Sequence, residues 1–428
     1  MTTKLRILLI GSGGRESAVA IAINKEIQQP NSIIEDFFAI PSNPQIAKLA
    51  KSFNIATDNE SVKNFCLQNK INLVIVGPED PLANGIVDHL ESFGIKVFGP
   101  SKAAARLESS KIFMKNFCAK YKIPTAQYQT FTSNDDIALI LQYADSLGYP
   151  VVLKTDGLAA GKGVVICQSK QDFTNNLKEY LDGKFGLSSK SIVVEEFLAG
   201  TEVSFFALSD GINFKTFFYA CDHKRLLDGD EGPNTGGMGT YSFKNILTTE
   251  QITQTEQNII APLIKGMTEE ECPYKGVIFA GLMLTAKGIK LIEYNVRFGD
   301  PETQAMLPLL KNNITDIFLA SVNNNIKNLE LEFSDDVCVN VVCVSGGYPD
   351  DYKKGCEITG HQNLSSDVEF IHCGTKLDGD KLVTNGGRVA SVRVTSSNMQ
   401  IAKSKVYPEM AKLKFDGIFY RKDICDKF

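Results

Sequence analysis

Residues Val151–Val165 read V-V-L-K-T-D-G-L-A-A-G-K-G-V-V. Two apolar, β-branched runs flank a glycine-rich turn, a pattern that predicts strand, flexible loop, strand. Glycine lets a backbone approach a ligand closely, while Lys154 at a strand end and Lys162 in the loop can neutralise phosphate oxygens. The loop is not a Walker motif. Gly157 and Gly161 are separated by three residues rather than four, Gly163 stands where Ser or Thr would hold a metal, and a strand follows where a helix should. A plain hairpin turn would account for the glycines but not for both lysines.

Working outward, the second informative segment is Leu291–Gln304, L-I-E-Y-N-V-R-F-G-D-P-E-T-Q. If Leu291–Val296 is a strand, its period of two puts Glu293, Asn295 and Arg297 on one face. Glu and Asn supply the hard oxygen ligands that Mg²⁺ takes beside substrate phosphates, and Arg supplies a fork suited to a carboxylate or phosphate. Taken alone, the pattern fits an exposed polar sheet face equally well.

The order of these segments resembles that of ATP-grasp enzymes: a lysine strand with its mobile Gly-rich loop, then V-V-E-E-F-L at Val193–Leu198, then E-x-N-x-R. More narrowly, the chain is similar from end to end to the glycinamide ribonucleotide synthetase (phosphoribosylamine–glycine ligase) family. The run D-H-K-R at Asp222–Arg225, D-G-D at Asp228–Asp230 and G-P-N-T-G-G-M-G at Gly232–Gly239 carries most of that resemblance. Further matches are G-S-G-G-R-E at Gly11–Glu16, V-G-P-E-D-P-L at Val76–Leu82, F-G-P-S-K-A-A-A at Phe98–Ala105, L-E-S-S-K at Leu107–Lys111 and V-T-N-G-G-R-V at Val383–Val389.

The resemblance implies a ligase of purine biosynthesis that joins glycine to 5-phospho-β-D-ribosylamine, using ATP and Mg²⁺ or Mn²⁺ and passing through a glycyl phosphate. Catalysis would then rest on positioning and charge neutralisation, with no protein nucleophile. Arg297 and Lys154 are the implied catalytic residues, and Glu293 and Asn295 the metal ligands. ATP falls to Lys111, Lys154, Lys162, Gly161 and Gly163, with backbone groups of Glu195 and Phe197 beside Leu198 reading adenine and Glu202 holding ribose. Glycine and its acyl phosphate fall to Asp222, Asn234, Thr235, Gly236, Gly237, Met238 and Arg297, because a run so rich in glycine exposes backbone N–H groups that suit an anion. Core packing for Phe197 and Leu198, and a polar surface loop for Asn234–Met238, are the plainer alternatives. Ribosylamine falls to Gly13, Gly14, Glu16, Asn43, Gly77, Glu79 and Asp80, its phosphate meeting the helix N-terminus after Gly14. Ser17 replaces the family's usual His, and Ser42 the Gly of its P-G-N; both departures touch that sugar site.

The implied fold is multidomain, α/β and α+β. An N-terminal parallel α/β domain spans 1–105, as the short apolar strands Leu5–Ile10, Phe37–Ile40, Leu73–Val76 and Lys96–Phe98 suggest by themselves. Its strand ends gather ligands. A main ATP-grasp domain takes 106–126 and 193–330, a small mobile lid 127–192, and a C-terminal mixed α/β domain 331–428, with a helix beginning near Pro301–Glu302.

Composition narrows the function classes. The chain has 428 residues, 43% of them hydrophobic, and a formal charge of −5 with no long basic block. That argues for several packed domains and against nucleic acid as the main partner. No apolar run reaches a membrane span, so the expectation is a cytoplasmic enzyme of one activity, with no obligate protein partner. Ten cysteines lack any C-x-x-C pair, and Cys167, Cys338 and Cys343 read as reduced core thiols. G-x-G-x-x-G fails at Gly11–Glu16, where Glu16 replaces the third glycine, so a dinucleotide site is not expected. Another ATP-grasp ligase or carboxylase, and a nucleotide-binding regulator without turnover, are the competing readings; the D-H-K-R to G-G-M-G run and the intact lysines weigh against them.

Overall fold

The computed structural model describes residues 4–158, 163–186 and 190–426. Lys51–Ser52, Ile34–Ile40, Leu5–Ile10, Leu73–Val76 and Lys96–Phe98 form, in that order, a five-stranded parallel sheet. Leu5, Ile7 and Leu9 join an apolar cluster with Val19, Ile23 and Ile317, whereas Leu8 and Ile10 join another with Val62, Leu82 and Ile86. Burial on both faces is why these strands read as unbroken apolar runs. The edge strand Lys51–Ser52 is too short and polar to have been legible.

Tyr128–Thr132, Ser191–Glu196, Val151–Thr155 and Val164–Cys167 make a four-stranded antiparallel sheet. Helices Ile137–Leu147 and Lys170–Leu181 start where Asp136 and Ser169 accept hydrogen bonds from Ala138 N (2.9 Å) and Asp172 N (3.2 Å), caps worth about 1 kcal/mol each. Their apolar faces close a core of their own, including Phe131, Ile140, Leu153, Phe173, Leu177 and Val194. The small unit therefore runs through Glu196, because Ser191–Glu196 pairs with strands on both sides, rather than stopping at residue 192.

The largest sheet has eight antiparallel strands, in the order Gly288–Asn295, Lys275–Thr285, Thr201–Asp210, Phe214–Asp222, Gly239–Ser242, Val337–Val344, Arg388–Ser396 and Glu369–His372. Gly239–Ser242 pairs with Val337–Val344, so the strands of the C-terminal unit continue the central sheet. Helix Met399–Met410 contributes Met399, Ala402, Val406 and Met410 to the core shared with Val339, Val341, Val392 and Val394. The short helix Glu302–Met306 begins with Pro301 at its cap, as the sequence predicts. No helix among the described residues is long and apolar enough to cross a membrane.

Candidate active site

Strand Gly288–Asn295 carries the first part of the site. Asn295 Nδ2 donates to Glu293 Oε1 at 3.4 Å, and Arg297 Nη2 donates to Asn295 Oδ1 at 3.1 Å. The predicted face thus brings all three polar groups together. Burial by itself would push the Glu293 carboxyl up, but the ammonium groups of Lys224, Lys154 and Lys111 outweigh it and hold it below the ordinary carboxylate range. Lys111 is pulled down by burial and donates to Gly157 O at 2.9 Å, placing it at the mouth of the glycine-rich turn. Gly161 and Lys162 lie outside the described residues; Gly163 N-terminal to strand Val164–Cys167 accepts a bond from Thr155 N at 2.9 Å.

The ammonium of Lys154 sits 3.0 Å from Glu195 Oε1, and Lys115 reaches Glu195 Oε2 at the same 3.0 Å. Glu195 was expected to offer its backbone to adenine; its side chain is a buried counter-ion for two lysines. Phe197 is 40% exposed and Leu198 half-buried in the link to strand Thr201–Asp210, so core packing does not account for Phe197. Glu202 is paired with Lys224, which also lies 3.7 Å from Asp222. Burial would lower the Lys224 ammonium, yet Asp222, Glu202 and Glu293 raise it well above its ordinary value. Glu302 accepts from Ser204 Oγ at 3.1 Å, and burial followed by the Asp222 carboxylate pushes it up to about 7.

The run Asn234–Met238 departs from expectation in its chemistry. Thr235 N bonds to Lys224 O (2.7 Å), Gly236 N to Tyr348 Oη (2.9 Å), Gly237 N to Thr235 Oγ1 (3.0 Å) and Met238 N to His223 O (2.8 Å). These N–H groups are engaged within the protein, so the anticipated anion nest is not free. Met238 is fully buried against Val342 and Val344, a core side chain rather than a ligand contact. Asn234 ends a short strand paired to Arg225. Gly237 has φ +112°, and a Cβ there would run into Pro301 Cδ. Gly237→Ala should therefore lower stability by more than ~1 kcal/mol, read as a lower thermal midpoint, whereas Gly229→Ala, whose added methyl meets nothing within 4 Å, should cost less although its φ of +72° is also positive.

The strand ends of the parallel sheet enclose a cavity of about 710 Å³ lined by Gly13, Arg15, Glu16, Asp80 and Asp300, among others. Glu16 is not a free carboxylate: Oε2 accepts from Gly13 N at 2.6 Å and Oε1 pairs with Arg15 Nε at 2.6 Å. The helix N-terminus is thus already capped by an acid. Any side chain at Gly77 would strike Glu16, and one at Gly14 would strike Gln304 and Cys373, so both glycines serve close packing. Asn43 is buried and fully engaged: its amide donates to Ser12 O (2.9 Å) and Ser17 Oγ (2.7 Å), and its Oδ1 accepts from Gln45 N and Ile46 N. Ser17 in turn donates to His372 O at 2.7 Å. Asn43 and Ser17 therefore tie the parallel sheet to the C-terminal strands and do not face the cavity as ligands would. Asp80 is exposed at the cavity, its carboxyl raised by partial burial and by Glu79.

Glu79 joins the two halves. Its Oε2 lies 3.2 Å from Arg297 Nε, while Glu108 Oε1 lies 3.0 Å from Arg297 Nη2 and Glu108 Oε2 accepts from Val296 N at 2.8 Å. Burial would raise Glu79, but Arg297 and Arg15 hold it low. From the other side, Arg388 Nη1 donates to Asp300 O and Gly236 O, both at 2.6 Å, and its Nη2 lies 3.3 Å from Asp300 Oδ2.

Sequence reasoning missed Lys115, Lys224, Glu108, Arg15 and Arg388. Lys224, Glu108, Arg15 and Arg388 lie inside the quoted motifs D-H-K-R, L-E-S-S-K, G-S-G-G-R-E and V-T-N-G-G-R-V but were given no role, and Lys115 had a positional signal, four residues after Lys111 on helix Lys111–Tyr121 and so on the same face. The ionised Glu293 carboxylate is one hard-oxygen donor, and Asn295 Oδ1, which also accepts from Arg297 Nη2, offers its remaining lone pair as a second; among the described residues no cluster of three or more acid, His or Cys ligands exists. Such a set fits a small divalent cation that completes its shell with phosphate and water.

Three family models match: phosphoribosylglycinamide synthetase N domain over residues 5–108, its ATP-grasp (A) domain over 109–303 and its C domain over 338–427. A phosphoribosylamine–glycine ligase of Mesorhizobium japonicum is 43% identical over 422 residues, 98% of this chain and 97% of that protein. The crystal structure of phosphoribosylamine–glycine ligase from Thermotoga maritima superposes with TM-score 0.82 at 31% identity, covering 98% of this chain and all of that one (100%). The biotin carboxylase domain of Hydrogenobacter thermophilus 2-oxoglutarate carboxylase, solved with MgADP and bicarbonate, gives TM-score 0.73 at 16% identity over 97% of this chain and 92% of its own, a likeness of fold alone.

Proposed function

This chain belongs to the phosphoribosylglycinamide synthetase family, and on that premise we propose that it joins glycine to 5-phospho-β-D-ribosylamine at the expense of ATP in purine biosynthesis. The observation that carries this reading is Arg297, which contacts Glu79 at a strand end of the parallel sheet and Asn295 beside Glu293. One guanidinium thereby links the segment next to cavity residues Pro78 and Asp80 with the lysine-ringed carboxylate.

The chemistry is amide formation from an unreactive carboxylate. A glycine oxygen attacks the γ-phosphorus of ATP, a P–O bond forms, and ADP leaves. The ribosylamine nitrogen then attacks the acyl carbon, inorganic phosphate departs with the old C–O bond, and the amine loses a proton. In this reading Lys111 and Lys154 neutralise phosphate oxygens, and Lys224 orders Asp222 and Glu202 at the glycine and ribose ends. Arg297 faces the transferred phosphoryl group. Glu293 and Asn295 would hold Mg²⁺, which supplies charge neutralisation at the phosphates. Asp80 and Arg15 line the sugar cavity, with Arg15 the cation nearest to hand for a sugar phosphate.

ADP release should require ATP, glycine and freshly formed phosphoribosylamine together, with full turnover lost when any one is left out. Release that ignores glycine would remove the ligase reading, and binding of ATP without any turnover would favour a regulatory protein.

A further inference from the structure

Lys115, Glu195 and Lys154 form a buried triad with two ammonium groups and one carboxylate. Their side chains are 0%, 3% and 5% exposed, and each lysine lies 3.0 Å from a different Glu195 oxygen. Among the described residues Glu195 is the only carboxylate within ion-pair distance of either lysine. Within the triad one positive charge is left over, and the Glu293 carboxylate, which Lys154 helps to hold low, offsets it only from beyond ion-pair distance. Unbalanced charge is costly to bury, and a fold that retains it needs an anion or another return for it.

The two lysines are held differently. Lys115 also donates to Thr125 Oγ1 at 2.8 Å, that hydroxyl donates to Leu291 O at 2.7 Å, and the Tyr128 ring lies 5.4 Å from Lys115 Nζ. It is locked from several sides. Among the described residues, Lys154 lies against Glu195 Oε1 without an aligned hydrogen bond, and that oxygen has no hydrogen-bond donor. Its N–H groups are thus available to another acceptor, and it is Lys154, not Lys115, that acts on Glu293 along with Lys111.

Building on the nucleotide reading above, we infer that Lys115 is a positioning residue that supplies the surplus charge of the phosphate pocket without touching the ligand. Glu195 is the spacer that allows two ammonium groups to lie together, and Lys154 is the one that meets phosphate. The charge count makes this testable. The native triad carries +1; Lys115→Met leaves Glu195 and Lys154 neutral; adding Glu195→Gln restores +1.

Calorimetric titration of the full chain with ADP and with adenosine reads the difference. Lys115→Met should weaken ADP by about tenfold, the scale of one charge acting across several ångströms of protein, while adenosine binding stays unchanged. The double variant Lys115→Met/Glu195→Gln should regain ADP affinity to within about threefold of the parent, as should Lys115→Arg. A merely structural Lys115 would weaken adenosine and ADP together, and that result overturns the inference. So does ADP affinity that Lys115→Met leaves untouched, or a double variant that fails to recover. If Lys115→Met does not fold, the double variant, which has no stranded charge, carries the comparison. A parent chain that binds no ADP would remove the nucleotide reading itself, and this inference with it.

Discussion

Glu293→Gln should lower turnover by about 10²- to 10³-fold at every Mg²⁺ concentration, the scale seen when one preorganised electrostatic partner is removed from a reacting centre. The carboxylate faces Lys224, Lys154 and Lys111 and hydrogen-bonds Asn295. Glutamine keeps the shape but removes the negative charge. Three ammonium groups are then left without their shared counter-ion, and on the proposed reading a divalent cation would lose its one ionised protein ligand. Raising Mg²⁺ should recover little, because the oxygen that remains is neutral. Asp335→Asn is the matched control, since Asp335 is 86% exposed and pairs only with Lys244 among the described residues. Asp58 is a poorer control because it caps helix Asn59–Gln68 and lines the cavity at the strand ends of the parallel sheet. Parental rates for Glu293→Gln across the Mg²⁺ range would show that Glu293 serves neither metal nor phosphate.

What the sequence made legible follows from what a local pattern can encode. The apolar runs of the parallel sheet announced themselves because both faces are buried, and the alternation at Glu293, Asn295 and Arg297 named a face correctly because period two is local. A face does not say what it meets. Glu79 and Glu108 reach Arg297 from 218 and 189 residues away in the chain, and no spacing rule joins them. The glycine-rich run misled for the opposite reason. Glycine content implied free N–H groups, but Lys224 O, Tyr348 Oη, Thr235 Oγ1 and His223 O already take them. Met238 sat in a functional motif and turned out to pack in the core. Asn43 and Ser17 were placed at the sugar by resemblance, whereas tertiary pairing to His372 O gives them a structural task. Likewise the boundary near residue 192 fell inside a strand because the partners of Ser191–Glu196 are distant in sequence. The continuity of the C-terminal strands with the central sheet was hidden for that reason too.

Lys154→Ala should impair ATP use by about 10²-fold or more at every ribosylamine concentration, while Asp80→Asn should raise the ribosylamine requirement and leave ATP affinity nearly unchanged. The two residues occupy different places. Lys154 sits on strand Val151–Thr155 beside Glu195 and acts on Glu293, whereas Asp80 is exposed in the cavity at the other end of the site. Removing Lys154 leaves Lys115 and Glu195 as a neutral pair, so on the proposed reading the pocket would lose both its surplus charge and the donor that meets phosphate. Asp80→Asn changes one cavity carboxylate and disturbs Glu79 only by relieving a like charge. Glu79 is nevertheless in contact with Arg297, which sets a measurable limit on the separation. Relief at Glu79 can shift the rate of phosphoryl transfer through Arg297, but Glu79 makes no ion pair with Glu195, Phe197 or Glu202 among the described residues, the groups proposed for the adenosine part of ATP. Calorimetric ATP titration therefore discriminates better than rate alone. Equal loss of ATP affinity in the two variants would mean that the cavity is not a separate sugar-phosphate site, and that Arg297 couples the halves into one binding unit.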